Sequence, residues 1–168
     1  MRRKDREVKD YDEIIDILSR CKILHLALIS EGKPYSVPLN FGYIFEEAGD
    51  NKKLSVYFHC APEGKKLDAI KENPNVCFSA ESLAQADGDK EKACTWTCYY
   101  ESVIAFGKAQ ILTDSDERTK GLDAIMFHHG FKLPAGIKTI AYNAMELART
   151  AVVKIEVEEI TGKRHLRK

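Results

Sequence analysis

The sequence has no excess of charge of either sign and no long apolar run. Its 168 residues contain 26 Lys and Arg against 26 Asp and Glu, a formal net charge of +0. No apolar run approaches the roughly 20 residues of a membrane-spanning helix, and the N-terminus, residues 1–6, leads into acidic sequence instead of an apolar signal segment. These absences predict a cytoplasmic protein without a membrane partner. A chain of this length can bury a sufficient core, so residues 1–168 are expected to form a single domain.

Common catalytic and nucleotide-binding motifs are also missing. The sequence contains no G-x-G-x-x-G, no Walker P-loop, no G-x-S-x-G and no H-E-x-x-H. Its five cysteines cannot all pair within one chain, which favours a reducing compartment. Cys94 and Cys98 lie close in sequence, but no second pair completes four zinc ligands. We therefore expect packed or free thiols and no metal site.

The zero net charge is an average over unlike parts of the chain. Residues 1–6 hold four basic and one acidic side chain, and residues 161–168 hold four basic side chains and none acidic. The acidic body between them is poorly suited to nucleic acid, because binding there requires clustered Lys and Arg that neutralise phosphates. No nucleic-acid partner is expected, and the basic ends require another explanation.

Hydrophobic periodicity predicts an α+β protein. Asp10 would cap a helix over Tyr11–Arg20, and a strand from Ile23 to Ile29 would form a hairpin with a strand over Tyr35–Phe45. The other predicted elements are strands over Leu54–His59, Val76–Glu81, Tyr99–Leu112 and Ala151–Ile160, helices over Pro62–Glu72, after Asp114 and over Ile137–Leu147, and a loop over Leu83–Lys92. Gly107 would mark a bulge or bend. Sequential hairpins with helices between them indicate a mostly antiparallel barrel or sheet with peripheral helices.

The most informative segment is 56–67, where a predicted strand leads into a helix. Residues 59–61 offer no Ser, Thr, Asp or Asn to cap the first amides of that helix. Lys65 and Lys66 lie in its first turn, where the helix dipole disfavours cations. A bound phosphate would satisfy the amides and pair with both lysines. The alternative is that both lysines are ordinary solvated side chains.

Two further segments carry polar residues on predicted strands. Pro38 interrupts a strand and belongs at a sheet edge, beside Asn40, whose amide both donates and accepts hydrogen bonds. Exposed backbone groups there would suit a flat heteroaromatic ring, although a simple edge strand explains the same pattern. The second segment, Tyr99–Gly107, places Glu101 and Ser102 before an apolar run.

Together these segments resemble the pyridoxamine 5′-phosphate oxidase-like split-barrel flavoproteins, and specifically the branch that includes nitroimidazole-resistance proteins. The matching segments are 1–6, 37–42, 58–66, Asn73-Pro74, 100–107 and 156–164. The resemblance implies a split β-barrel that forms a homodimer and holds FMN at the subunit interface. The tail 165–168 lacks the substrate-reading pattern of true pyridoxamine-phosphate oxidases, so that reaction is not expected.

The resemblance also implies roles for individual residues. Lys65 and Lys66, with the backbone nearby at Cys60 and Ala61, would bind the FMN phosphate. The isoalloxazine and ribityl chain would be lined by Val37, Pro38, Leu39, Asn40 and Phe41, with Glu101 and Ser102 completing the cradle. His59 would lie beside the flavin as a catalytic proton donor or as a hydrogen-bonding group for the substrate; the alternative is a strand-end histidine bonded to backbone. Lys163 or Arg164 would approach the anionic cofactor.

These roles predict an FMN-dependent oxidoreductase. Electrons would pass from a reduced nicotinamide or similar donor to a small aromatic acceptor, such as a nitroimidazole-type nitro compound. The flavin would carry the electron chemistry, and the protein would supply position and electrostatics. The alternative from another class is a non-catalytic flavin- or haem-binding carrier or sensor on the same barrel.

Overall fold

The structure, a computed structural model, describes residues 2–49, 51–137 and 140–167. Its strands are β1 (Glu7–Val8), β2 (Ile23–Ser30), β3 (Lys33–Asn40), β4 (Gly42–Ala48), β5 (Asn51–Cys60), β6 (Asn75–Asp87), β7 (Thr97–Ile111) and β8 (Ala151–His165). Its α-helices are α1 (Tyr11–Arg20), α2 (Lys65–Glu72), α3 (Ser115–His128) and α4 (Ala144–Ala148). The predicted α+β class is confirmed. Among the described residues, no helix has the length and apolar character needed to cross a membrane.

The strands form one antiparallel sheet in the order β3-β2-β6-β7-β8-β5-β4, with β1 added on β8. Strands β3 and β4 therefore lie at opposite ends of the sheet, yet Phe41 is the single residue between them in the chain. The two edges must lie close together, which requires the sheet to curl into a barrel. Within the described ranges no ladder joins β3 to β4, so the barrel stays split along that seam.

The predicted continuous strand over Tyr35–Phe45 is wrong, because the chain changes sheet edge at Phe41. The Phe41 side chain is fully buried, and Gly42 packs directly on the backbone of α3. A Cβ atom at Gly42 would lie 2.3 Å from the carbonyl carbon of Ala124. The alternation of apolar residues continues across the break because both strands face the same core, so periodicity alone could not reveal it.

The hydrophobic core fills the inside of the barrel. Its largest fully buried side chains are Phe41, Phe58, Phe78, Ile17, Leu18, Leu24, Leu26, Leu54, Leu67, Ile155, Val56 and Val103. Helix α1 covers part of this core, and its predicted cap is confirmed: the Asp10 carboxylate accepts hydrogen bonds from the amides of Asp12 and Glu13. Helix α3 packs against β4 and β5 and buries Leu122 and Ile125 in a second cluster.

Several predicted boundaries are wrong. The helix predicted to begin at Pro62 begins at Lys65 instead. The loop predicted over Leu83–Lys92 is largely strand, because β6 continues to Asp87 through a register shift after Glu81 and keeps its pairing with β7. The helix predicted over Ile137–Leu147 is reduced to α4; residues 138 and 139 lie outside the described residues.

The predicted bend at Gly107 is confirmed. The register of β7 against β8 shifts between Phe106 and Gly107. A Cβ atom at Gly107 would lie 2.1 Å from the carbonyl oxygen of Glu156, so only glycine allows the two backbones to approach this closely. Strand β8 extends beyond the predicted Ile160 to His165 and pairs with most of β7.

Candidate functional site

A small cavity lies where β5 leads into α2. Its volume is about 190 Å³, and the connection between the two elements forms most of its wall. The lining residues are Tyr35, Cys60, Ala61, Glu63, Gly64, Lys65, Lys66 and Leu67. Four of the predicted cofactor residues, Cys60, Ala61, Lys65 and Lys66, therefore come together in one place, which we call the α2 pocket.

The first turn of α2 has no side-chain cap. The N-cap residue is Gly64, at φ 131°, a conformation open to glycine and strained for other residues. Glycine has no side chain to accept from the first amides of the helix. The Leu67 amide donates to the Gly64 carbonyl oxygen, which leaves the amides of Lys65 and Lys66 without an intrahelical acceptor. The prediction of uncapped amides at this helix start is confirmed, although the helix begins three residues later than expected. The α2 pocket therefore offers hydrogen-bond donors to an anion.

Both lysines of the pocket contact aromatic rings. The Lys65 Nζ atom lies 5.3 Å from the ring centroid of Tyr35, and the Lys66 Nζ atom lies 5.7 Å from that of Phe58. In the part of the chain that the structure describes, no carboxylate oxygen lies within 4.0 Å of either ammonium. Two positive charges without a carboxylate partner thus accompany the uncapped amides.

His59 and Cys60 end strand β5 beside this positive charge. Partial burial lowers the pKa of His59 below its ordinary value, and the charge of Lys66 adds to that effect. Burial raises the pKa of the Cys60 thiol, which Lys66 opposes. At neutral pH the structure therefore favours a neutral imidazole at His59, able to donate one hydrogen bond and accept another.

The predicted flavin-lining residues of β3 differ in exposure. Val37 and Leu39 are half-buried toward the core, whereas Pro38 and Asn40 are exposed on the outer face. Strand β3 is an edge strand, as the proline predicted. The ring of Phe41 is buried, with its centroid 4.7 Å from that of His128. Phe41 is therefore not exposed to a ligand within one chain.

Glu101 and Ser102 lie in a different environment. The buried carboxylate of Glu101 accepts hydrogen bonds of 3.0 and 2.9 Å from Arg20 Nη2. Arg20 also bonds Asp16 within α1, so Glu101 holds α1 on β7. Ser102 is half-buried and pairs with Lys163 of β8.

Within a single subunit, Glu101 and Ser102 lie far from the α2 pocket. In the ladders of β8, His59 pairs with Val152 and Glu101 pairs with Arg164. These positions are about twelve residues apart along β8, a contour length of about 40 Å in extended chain. The structure therefore does not bring all the predicted cofactor residues together within a single subunit.

A larger apolar groove adjoins the α2 pocket on the outer face of β2, β3 and β6. Its volume is about 420 Å³. Its lining includes Ile29, Cys77 and Phe106, and Tyr35 lines both this groove and the α2 pocket. On the same face the side chains of Ile104 and Phe106 are 47% and 50% exposed. The sheet thus presents apolar surface directly beside the positive pocket.

Sequence analysis missed two residues of these environments. Tyr35 joins β3 to the α2 pocket, and Arg20 holds Glu101; each partner is distant in sequence, so no local pattern indicated the contact.

The basic ends bond within the chain: Arg164 Nη2 lies 2.7 Å from Glu13 Oε2, and Lys163 Nζ lies 5.6 Å from the ring centroid of Tyr100.

Sequence comparison identifies the family. Residues 10–164 match the model of the pyridoxamine 5′-phosphate oxidase family. The chain belongs to this family. The match covers almost the entire barrel, from the residue that caps α1 to the end of β8. None of the curated proteins compared with the chain is similar enough to count as a relative.

Solved structures confirm the split-barrel fold. A candidate 5-nitroimidazole antibiotic resistance protein from Bacteroides thetaiotaomicron is 26% identical, with a TM-score of 0.72 over 94% of this chain and 85% of its own. A flavocytochrome from Azotobacter vinelandii is 21% identical, with a TM-score of 0.74 over 99% and 72%. An FAD- and heme-binding protein from Mycobacterium smegmatis is 19% identical, with a TM-score of 0.75 over 96% and 74%. The resemblance stated from the sequence motifs is thereby confirmed.

Proposed function

We propose that the chain, as one domain over residues 1–168, is an FMN-dependent oxidoreductase that acts as a homodimer. Electrons pass from a reduced nicotinamide or similar donor to a small aromatic acceptor of the nitroimidazole type. The observation that carries the proposal is the α2 pocket, which combines uncapped helix amides with two lysines that have no carboxylate partner among the described residues. The five free cysteines favour a cytoplasmic location.

The α2 pocket fits the phosphate end of a flavin mononucleotide. Oxygen atoms of a phosphate would accept from the amides of Lys65 and Lys66 and pair with their ammonium groups. Gly64 supports this role, because the space around its Cα is open and no side chain obstructs the amides. Family membership favours the same assignment.

The rest of the cofactor site would need a second subunit. Pro38, Asn40 and the adjoining apolar groove lie on the face that exposes Ile104 and Phe106. A second copy on this face would cover the apolar surface and enclose a bound ring. Glu101 and Ser102, which one chain keeps away from the α2 pocket, would then belong to the site of the partner.

His59 would position the acceptor. When bound, FMN supplies the electron-transfer chemistry. A neutral His59 at the end of β5 would hold a nitro or carbonyl oxygen of the acceptor through its ring N–H. The 26% identity to the candidate nitroimidazole-resistance protein favours an acceptor of this class.

Titration of the cofactor-free protein with FMN tests the proposal. The variant with Lys65→Glu and Lys66→Glu is expected to bind FMN at least about a hundredfold more weakly, because two attractive charges become repulsive. Quenching of flavin fluorescence measures the affinity. The matched control carries Lys71→Glu and Lys108→Glu, whose ion pairs lie outside the pocket. Equal affinities of both variants would refute this placement of the phosphate.

A carrier or sensor is the second candidate function, because two of the similar structures are a flavocytochrome and an FAD- and heme-binding protein. The absorption spectrum of the purified protein distinguishes flavin bands from a Soret band. Anaerobic reduction of the bound flavin by NADH or NADPH, followed by reoxidation with a nitroimidazole, is expected for the enzyme. A flavin that takes up no electrons from either donor would favour the carrier.

A further inference from the structure

A second cavity lies away from the α2 pocket. It has a volume of about 820 Å³ and is bounded by α3, β4 and the end of α1. It shares no lining residue with the α2 pocket or with the apolar groove. We call it the α3 cavity. Its size would admit a small-molecule ligand.

Aromatic rings form one side of the α3 cavity. The Phe127 side chain lines it and is 46% exposed, in contrast to Leu122 and Ile125 of the same helix, which are buried. Tyr43 and His128 also line the cavity, and their ring centroids lie 5.3 Å apart in an edge-on arrangement. His128 is fixed in place, because its Nε2 atom lies 2.6 Å from the carbonyl oxygen of Cys21. These rings form a pre-arranged surface for a flat apolar group.

The α3 wall of the cavity also carries two carboxylates. Asp116 and Asp123 are seven residues apart on α3, so they lie on the helical face that carries Phe127, about 10 Å from each other. Tyr142 donates to Asp123 Oδ1 at 2.7 Å, which leaves Asp123 Oδ2 for a ligand. Across the described part of the chain, neither aspartate forms an ion pair.

The positive groups of the cavity do not offset these two carboxylates. Lys120 lies 3.1 Å from Glu46 and is balanced by it. Burial, aided by the charges of Lys22 and His129 and opposed by the Cys21 hydrogen bond, lowers the pKa of His128 and keeps its ring neutral at pH 7. The lining of the cavity thus combines aromatic rings with a net negative charge.

We propose that the α3 cavity binds a small planar aromatic cation, whose ring lies against Phe127 and whose charged group meets Asp123, four residues earlier on the same face of α3. Asp116 attracts the same charge from a longer distance. Carboxylates would form charge-assisted hydrogen bonds with an amidinium or ammonium group. The ring faces of Phe127 and Tyr43 attract the same positive charge. This site is separate from the proposed flavin site and does not depend on it.

Three probes of one shape and different charge test the proposal: benzamidine, benzamide and benzoate. Their affinities for the full chain are measured by isothermal titration calorimetry at low ionic strength. Benzamidine is expected to bind at least about tenfold more tightly than benzamide, and benzoate more weakly still. Equal affinities, tighter binding of benzoate, or no binding of benzamidine at millimolar concentration would overturn the proposal.

Variants locate the binding. Asp123→Asn is expected to weaken benzamidine about tenfold, and Asp116→Asn, which acts from a longer distance, about twofold. Both are expected to leave benzamide unchanged; in Asp123→Asn the amide oxygen still accepts from Tyr142. The matched control is Asp68→Asn on α2, an exposed carboxylate paired with Lys71. Circular dichroism confirms folding, and Asp116 is exposed, so its variant retains the fold. Unchanged benzamidine affinity in both cavity variants, or competition between benzamidine and FMN, would contradict a separate cation site.

Discussion

Gly42 is the residue that allows the chain to pass from one sheet edge to the other. A Cβ atom there would lie 2.3 Å from the backbone of Ala124 and Ile125 in α3. We expect Gly42→Ala to destabilise the protein by about 2–4 kcal/mol, because rigid backbone must move. Urea denaturation measures the loss. Gly32→Asn, at a turn position with open space around it and a φ that asparagine tolerates, should change stability by less than about 0.5 kcal/mol.

His128 makes stability depend on pH. Burial lowers its pKa, so the folded state binds fewer protons than the unfolded state in mildly acidic solution. Its contribution is therefore present above the unfolded value of about 6.5 and is lost as the pH falls below that value. We expect the melting temperature to fall between pH 7.5 and 5.5, and to fall less in His128→Gln.

The exposed neighbour His129 supplies the control for that measurement. His129→Gln removes an imidazole that is exposed and whose ring lies beside that of His128. Its melting temperature should follow the wild-type dependence on pH closely, because the charge of His129 is the smallest of the causes that set the pKa of His128. An identical dependence in His128→Gln would show that another group causes the effect.

At the level of residues, the features that depend only on neighbours in the sequence could be predicted. Lys65, Lys66 and the missing cap were recognisable because a helix start is a local pattern. The Tyr35 contact and the burial of Phe41 depend on neighbours from distant strands, so the sequence pattern alone could not give them. Whether His59 acts on a substrate stays a prediction.

Helix α1 is held on the barrel by the ion pair of Arg20 with Glu101. We expect Glu101→Gln to destabilise the protein by about 1–3 kcal/mol, less than a fully buried pair because Arg20 is partly exposed. Thermal denaturation in the absence of flavin detects this loss. Asp16→Asn removes the exposed partner of the same arginine and should cost about 0.5 kcal/mol or less. Equal losses in both variants would contradict an anchoring role for Glu101.

At the level of elements, boundaries set by capping residues were predictable, whereas boundaries set by strand pairing were not. Asp10 and Asp114 each accept from the first amides of the helix that follows, as their sequence context predicted. Strand β6 instead continues through the polar stretch before Asp87 because β7 supplies a hydrogen-bonding partner along its whole length. The end of β3 and start of β4 at Phe41 likewise depend on the strands that pair with β3 and β4. The β-strand propensity of Phe41 itself does not indicate the break.

At the level of the whole molecule, the exposed apolar face predicts the assembly. Phe106 is 50% exposed on β7, within the face proposed to meet a second copy. We expect Phe106→Glu to shift the protein from dimer to monomer, because dimerisation would bury the new charge without a partner. Analytical ultracentrifugation measures the change. Met145→Glu, at a 69% exposed position of α4, should remain dimeric. A wild-type monomer at high concentration would contradict the proposed assembly.

The position of Tyr35 affects the free energies of both cofactor binding and dimerisation, because this residue lines both the α2 pocket and the groove on the apolar face. In the proposed dimer, one side chain contacts the phosphate-binding lysine and the surface that meets the second subunit. Cofactor binding and subunit association are then coupled, and the coupling is reciprocal: each strengthens the other by the same factor. Dilution should release the flavin, and added flavin should hold dilute subunits together.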